Sequence, residues 1–304
     1  MRSYRYFHYD VFTDRVFGGN QLALVLDARG LAHDDMQAIA KEMNFAETAF
    51  LLPAEAAGTD ARVRIFTPAR ELAFAGHPVI GTTFGLARAG AISPGATGVV
   101  LGCGIGPVPV SLTWRDSDLA FAWMAPPLPV FGEPVAHADR IADVLGLPPT
   151  AVGGTGLPVQ VVSSGTPYLF VPLATRRAVD SVTGVGAADL AALFKEAAVD
   201  AIGLYAFSVE RAADKAAAYA RMFAPGAGVP EDAATGSAAA PLGAYLVRHK
   251  VVPLERAASM VCVQGAKMGR TSHLHIAVAT ENGMTTGVRV GGEAVLAGEG
   301  TLYL

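Results

Sequence analysis

Short apolar runs, broken by Gly, Pro and Asp, dominate the chain. Runs at Tyr4–Phe12, Ala23–Leu26, Thr48–Leu52, Val63–Phe66, Val99–Cys103, Val108–Trp114 and Leu119–Met124 predict strands. So do Val159–Ser163, Tyr168–Val171, Ala201–Val209, Tyr219–Met222, Met260–Val263, Leu274–Ala279, Thr286–Val290 and Ala294–Leu296. They are rich in Val, Phe, Tyr and Thr, the residues that suit a pleated, half-buried surface. Apolar residues recur at helical spacing in Asp34–Met43, Ala136–Leu145 and Ala187–Glu196, which predicts three surface helices. Two further runs, Pro78–Ala87 and Ala238–Val247, carry no charge at all. A helix that is apolar all round is buried on all sides. Gly81, Gly85 and Gly243 weaken such helices but let surrounding backbone come close. Pro78 fits a first helical position; Ser237 fits an N-cap, with Pro241 still in the first turn.

These two runs belong to a longer repeat. Arg64–Arg88 reads RIFTPARELAFAGHPVIGTTFGLAR and Arg221–Arg248 reads RMFAPGAGVPEDAATGSAAAPLGAYLVR. Both begin Arg-apolar-Phe-x-Pro, and both place a glutamate five positions before a glycine, Glu71 before Gly76 and Glu231 before Gly236. From each glycine to the closing arginine is twelve residues. A pseudo-repeat of this size predicts two similar domains facing each other, each wrapping strands around one central helix. The proline-rich stretch 125–134 is the expected linker, which divides the chain at 124/125. Each central helix opens at a glycine turn whose amide groups are unpaired, and such ends attract anions. If both ends face one cleft, the repeat exists because the site is shared. The alternative is two buried helices that start at glycine turns and bind nothing.

Composition narrows the class. The chain has 304 residues, 16% charged, with net charge −4 and mean hydropathy +0.37. That length suits two domains with substantial cores. No basic tract is available to neutralise phosphates, so nucleic acid is not an expected partner. The opening MRSYRYFHYDVF lacks the apolar stretch of a secretion leader, and the apolar window Ala91–Val110 is interrupted by Gly and Pro. Neither reads as a membrane segment, and a cytoplasmic location is expected. Cys103 and Cys262 read as reduced, buried or half-buried thiols rather than a disulfide. The glycine-rich stretches at 102–106 and 153–156 lack the spacing of a nucleotide-binding loop and read as turns. His273 and His275 share a strand face, but no acidic or thiol set completes a metal site around them.

Chemistry gathers around the two glycine turns. Glu47 stands at the mouth of an otherwise apolar strand, His77 follows Gly76, Asp232 precedes the second turn and Ser237 follows Gly236. Each has an ordinary structural use, as an edge carboxylate, a capping histidine, a turn aspartate and a capping serine. Together, two carboxylates, an imidazole and a hydroxyl beside two anion-seeking helix ends suit proton transfer on a small carboxylate. Glycine at 76 and 236 is expected to let that ligand approach the backbone without a Cβ in the way.

The sequence resembles the PhzF-like family of phenazine biosynthesis, whose fold is that of diaminopimelate epimerase. The resemblance rests on Asp10-Val-Phe-Thr13, Phe17-Gly-Gly-Asn20, Asn44-Phe-Ala-Glu-Thr48 and Arg64-Ile-Phe-Thr-Pro68. It continues through Glu71-Leu-Ala-Phe-Ala-Gly-His-Pro78, Glu231-Asp-Ala-Ala-Thr-Gly-Ser237 and Gln264-Gly-Ala-Lys-Met-Gly-Arg270. Gln21 and Ala73 stand where the family pattern usually has proline. The resemblance implies an α+β fold of two pseudo-symmetric domains, each a mixed, barrel-like sheet around a buried helix. It also implies that the last strand, in 291–304, returns to the first domain, leaving 125–290 as the second.

The activity implied is that of an isomerase needing no cofactor or metal, and the assembly a homodimer. The family's proton-shuttling glutamate corresponds to Glu47, and its supporting histidine, aspartate and serine to His77, Asp232 and Ser237. Asn20, Gly76, Thr235 and Gly236 are expected to line the substrate. In the best-known member that substrate is a dihydro-hydroxyanthranilate. The related epimerases carry a cysteine at each central helix start, where this chain has Ala75 and Thr235. Alanine transfers no proton and threonine is a poor base, which disfavours two-thiol racemisation. An epimerase using Glu47 and Asp232, or a non-catalytic binding protein, remain as alternatives.

Overall fold

The computed structural model describes residues 2–304. The first half runs β1 (Ser3–Val11), β2 (Asn20–Val25), α1 (His33–Met43), β3 (Glu47–Pro53), β4 (Ala61–Phe66) and β5 (Glu71–Leu72). It continues through α2 (Gly76–Arg88), β6 (Gly98–Cys103), β7 (Gly106–Arg115) and β8 (Asp118–Met124). The second half opens with β9 (Val130–Pro134), α3 (Ala138–Leu145), α4 (Thr150–Gly153), β10 (Gln160–Ser163) and β11 (Pro167–Pro172). Next come α5 (Arg176–Ser181), α6 (Ala187–Glu196), β12 (Gly203–Ser208), β13 (Ala218–Ala224), β14 (Val229–Asp232) and α7 (Gly236–Arg248). β15 (Met260–Gln264), β16 (Ser272–Glu281), β17 (Met284–Gly292) and β18 (Ala294–Tyr303) close the chain.

Strand pairing repeats between the halves. In the first, the order is β18-β1-β2-β3-β4-β6-β7-β8, with β2–β3 and β4–β6 parallel and the other neighbours antiparallel. In the second it is β9-β10-β11-β12-β13-β15-β16-β17, and β11–β12 and β13–β15 are the parallel pairs. β8 and β17 join the halves antiparallel, with Val290 opposite Met124. The result is the expected α+β, diaminopimelate-epimerase-like architecture of two curled mixed sheets, each closing on one helix. We propose that the domain boundary falls where β8 and β17 meet, close to residues 124 and 292, with β18 completing the first domain on β1. The stretch 125–134 is not all linker, because β9 lies within it and pairs with β10.

The repeated arginine and glutamate staple equivalent corners. Arg64 donates from Nε and Nη2 to the two oxygens of Glu71, both at 2.7 Å. Arg221 grips Glu231 the same way at 2.8 and 2.9 Å. Each guanidinium also lies over the phenylalanine two residues on, Phe66 or Phe223. A bidentate fork plus an aromatic face fixes each arginine, and with it the hairpin that leads into the central helix.

α2 and α7 are buried over nearly their whole length. Their interior glycines face side chains rather than backbone: Gly81 packs on Val11 and Leu22, Gly85 on Leu24 and Tyr9, and Gly243 on Ile276, Val278 and Met260. The largest core wraps both helices, while separate clusters sit under α1 and beneath α3, α5 and α6. Fully buried Phe50, Phe74, Phe170, Phe207 and Tyr245 are among the largest core side chains, each contributing roughly 1.5–3 kcal/mol of transfer free energy. The helix starts differ from the sequence expectation. α2 begins at Gly76, two residues before Pro78, and Thr235 rather than Ser237 flanks α7. Pro241 sits in the interior of α7, and its missing N–H leaves the carbonyl of Ser237 without its helical partner. No helix of the described residues is long and apolar enough to cross a membrane.

Candidate active site

The two central helices meet end to end. A Cβ built on Gly76 would lie 2.5 Å from Gly236 Cα and 2.6 Å from Ser237 N, and one on Gly236 would lie 3.0 Å from Gly76 Cα and from the Phe12 ring. The glycines are therefore needed for the helix starts to touch, which corrects the expectation that they make room for a ligand. Beside this junction the first residues of two parallel strands and the end of a third converge. Asn20 opens β2, Glu47 opens β3 and Asp232 closes β14. Exposure is 3% for Asn20, 7% for Glu47, 2% for His77, 3% for Asp232 and 1% for Ser237, so the cluster is shut off from solvent. A neighbouring cavity of about 320 Å³ lies between the halves, bounded by Asn20, Gln21, Phe45, Ala46, Ala233 and Arg270.

Asn20 ties the cluster together. Its Nδ2 donates to Asp232 Oδ1 at 2.6 Å and to the Ala234 carbonyl at 3.0 Å. A carbonyl can only accept, which fixes the amide orientation. The same Nδ2 lies 2.9 Å from His77 Nδ1. Nδ2 has two hydrogens for these three partners, so one is shared; because Nδ2 cannot accept, the facing ring nitrogen carries no proton, which places the imidazole proton on Nε2. Thr235 Oγ1 donates to the other Asp232 oxygen at 2.7 Å. Glu47 is unlike its neighbours. Its Oε2 approaches His77 Nδ1 to 3.3 Å, yet neither that oxygen nor His77 Nε2 has a hydrogen-bond partner among the described residues. Two unpartnered polar atoms this deeply buried are costly to keep.

Burial sets the protonation states. It raises the Glu47 carboxyl well above the usual glutamate range, and the nearby Asp232 charge pushes the same way. Asp232 is raised by burial to about 6, with the bonds from Thr235 and Asn20 working against the rise. His77 is lowered by burial to about 3 and is neutral. Its contact with Glu47 is therefore no ion pair. Burial also raises both cysteines to about 12, so both are thiols, and neither belongs to the cluster.

Glu47, His77 and Asp232 each bring a ligand-type atom within 4.8 Å of the others, so these three could hold a metal ion. Both Asp232 oxygens and His77 Nδ1 already face hydrogen-bond donors. With the imidazole proton on Nε2, the Glu47 carboxyl is the one group of the three left without a donor facing it among the described residues, a poor set for a divalent cation.

All eight residues named from sequence, Asn20, Glu47, Gly76, His77, Asp232, Thr235, Gly236 and Ser237, lie at this junction or in its hydrogen-bond network. Over nearly all its length the chain matches the sequence profile of the phenazine biosynthesis-like proteins, PhzC-PhzF, across residues 9–300. The chain belongs to this family. It is 36% identical to an uncharacterized isomerase of Mesorhizobium japonicum, with 100% of both chains covered. It is 33% identical to the trans-2,3-dihydro-3-hydroxyanthranilate isomerase of Pseudomonas aeruginosa, covering 99% of this chain and 100% of that one. The crystal structure of a PhzF-family phenazine biosynthesis protein from Bacillus anthracis superposes with a TM-score of 0.86 at 25% identity, covering 100% of each chain. The chain is thus an isomerase of the PhzC-PhzF family.

Sequence reasoning missed three members of the cluster. Tyr168 opens onto it from β11, its hydroxyl 2.9 Å from Ser237 Oγ. Gln264, at the end of β15, braces Thr235 and the Asp232 backbone. Tyr205 donates to Gln264 at 3.2 Å. Gln264 was visible as the head of a family motif, but Tyr168 and Tyr205 read as ordinary strand aromatics.

Proposed function

We propose that this isomerase moves a proton on a small cyclic carboxylate without a cofactor, with Glu47 as both acid and base. The observation that carries the reading is the pair of buried, unpartnered atoms, Glu47 Oε2 and His77 Nε2, beside two helix N-termini. The substrate class is a dihydro-hydroxyanthranilate or a similar amino-substituted ring acid, supported by the kinship with an enzyme named for that reaction. The substrate carboxylate would take the unpaired first-turn amides of α2 and α7 together with the Ser237 hydroxyl. Glu47 would deliver its proton to one ring carbon and recover another from a neighbouring carbon, so the site ends as it began. The His77 Nε2 proton would steady charge that develops on an oxygen or nitrogen of the ring. The Asp232 carboxylate would steady positive charge on the protonated intermediate.

A two-base epimerase is less well supported. Opposed bases must reach one carbon from both sides at about 3–3.5 Å each, a separation of roughly 6–7 Å. Glu47 and Asp232 instead offer oxygens within 4.8 Å of each other.

The test is turnover of trans-2,3-dihydro-3-hydroxyanthranilate in deuterium oxide. Acid-first transfer gives a shifted isomer with one deuterium on a ring carbon, and Glu47→Gln gives none. Deuterium at an inverted, unshifted centre would favour epimerisation, and unimpaired turnover by Glu47→Gln would remove Glu47 from the mechanism.

A further inference from the structure

Gln264 is wholly buried, and all of its hydrogen-bonding capacity is used. Its Nε2 donates to the Asp232 carbonyl at 2.9 Å and to Thr235 Oγ1 at 2.8 Å. Its Oε1 accepts from the Thr235 N–H at 3.1 Å and from the Tyr205 hydroxyl at 3.2 Å. The amide cannot be turned over. Reversal would set its NH₂ against the Thr235 N–H and its oxygen against the Asp232 carbonyl, two mismatches in a buried site. A direction follows for the next bond. Thr235 Oγ1 accepts from Gln264, so its own hydrogen is free for Asp232 Oδ2, 2.7 Å away. Among the described residues, that hydroxyl meets no other side-chain acceptor. Asn20, its amide also fixed, donates to Asp232 Oδ1.

Both oxygens of Asp232 therefore meet donors, whereas Glu47 Oε2 meets none. Two neighbouring buried carboxyls cannot both ionise cheaply, and the one that accepts hydrogen bonds is the one that stays ionised. We propose that Gln264 is a positioning residue that, acting through Thr235, holds Asp232 as the carboxylate and leaves the shared proton on Glu47. The proposal rests on Glu47 being the working acid in the reading above, and it supplies the reason that acid is loaded before substrate arrives. The other titratable groups facing the pair are His77 from α2, Tyr168 from β11, Tyr205 from β12 and Glu231 from β14. His77 is neutral and burial keeps both tyrosines protonated, while Glu231 is paired with Arg221.

The experiment needs no substrate. Side-chain carboxyls are labelled with ¹³C in aspartate and glutamate, and the signals of Asp232 and Glu47 are assigned with Asp232→Asn and Glu47→Gln. Each is then followed from pH 4 to 8. In the wild type at pH 7, Glu47 should give the shift of a protonated acid and Asp232 that of a carboxylate. Thr235→Val removes the donor at nearly constant shape and should raise the Asp232 midpoint by about one unit, the scale of one lost hydrogen bond to a carboxylate. Gln264→Met should raise it similarly, and in the Thr235→Val background it should add little. Tyr205→Phe leaves Gln264 in place and covers the case in which Gln264→Met does not fold; it should move the midpoint in the same direction by less. A carboxylate signal for Glu47 beside a protonated Asp232 overturns the proposal, as does an Asp232 midpoint indifferent to Thr235→Val. Failure of turnover on the dihydro-hydroxyanthranilate, with these titrations as expected, would count against the substrate reading alone.

Discussion

Glu47→Gln should stabilise the protein while abolishing its activity, and the gain should depend on pH in a defined way. Burial raises the Glu47 carboxyl well above its ordinary value of 4.5. Between that value and its raised folded one, the unfolded chain has released the proton and the folded chain still holds it. The unfolded state then binds fewer protons, so wild-type stability falls as pH rises through this window. It is fully present below about pH 4.5 and declines by about 1.4 kcal/mol per pH unit until Glu47 ionises in the folded state. Glutamine keeps the shape and removes the titration. Its advantage over the wild type should be near zero at pH 4 and grow with that slope as pH rises. Any fixed cost of burying the amide shifts the whole curve but not its slope. Guanidinium unfolding of both proteins between pH 4 and 8 measures the difference directly. Turnover should fall by at least about 10²-fold over the same range. A stability difference that stays flat with pH would refute the claim that Glu47 is buried without a compensating partner.

Other outcomes follow from the same geometry. Treatment with a chelator should leave activity unchanged, because the free ligand atoms are too few to hold a divalent ion; loss with EDTA and recovery with a metal would overturn this. Gly76→Ala drives a methyl into the backbone of Gly236 and Ser237, and should cost about 1–3 kcal/mol in chemical denaturation and displace both helix starts. Asn20→Ala and Thr166→Ala each delete a hydrogen bond across the halves, to the Ala234 and Phe74 carbonyls. Thr166→Ala should cost roughly 0.5–1.5 kcal/mol of stability with turnover kept, whereas Asn20→Ala, which also frees Asp232 and His77, should lose turnover as well.

Much of this fold is legible in the sequence because its signals are local. Alternating apolar runs mark the long strands, and the two charge-free runs mark the buried helices. The short elements escape. β5, β14 and α4 are two to four residues long, too short for any periodicity. β9 hides among prolines, in Val-Phe-Gly-Glu-Pro, because it pairs only with β10 and can tolerate residues that cannot donate. Six of the eight named site residues converge because they flank the repeated turns, whereas Asn20 and Glu47 come from outside the repeat, at the starts of β2 and β3. What sequence cannot supply is direction. That Gly76 faces Gly236 rather than a ligand, or that Asn20 reaches Asp232, depends on how the halves meet. No spacing within one half encodes it.

The repeat sets geometry, and its two copies divide the chemistry between them. Aligning Phe66 with Phe223 in the repeated motif makes Thr48 of β3 equivalent to Leu204 of β12. Glu47 then corresponds to Gly203, and through the parallel neighbours Leu22 corresponds to Tyr168 and Asn20 to Thr166. Along the repeat itself, His77 matches Ser237, Ala75 matches Thr235 and Leu72 matches Asp232. The registers of β6 and β15 pair Cys103 with Gln264. The shared scaffold is visible in two of the bonds that cross the halves, from Asn20 to Ala234 and from Thr166 to Phe74, which occupy equivalent places. Glu47, by contrast, has only a glycine at its equivalent position, Asp232 a leucine and Gln264 a cysteine. A reaction run by two equivalent bases would need both copies equipped alike. One carboxyl loaded with a proton, beside a second one held ionised, needs the copies to differ. The proposed single-acid proton shift therefore fits a fold whose symmetry survives in the backbone and is broken at the side chains that meet the substrate.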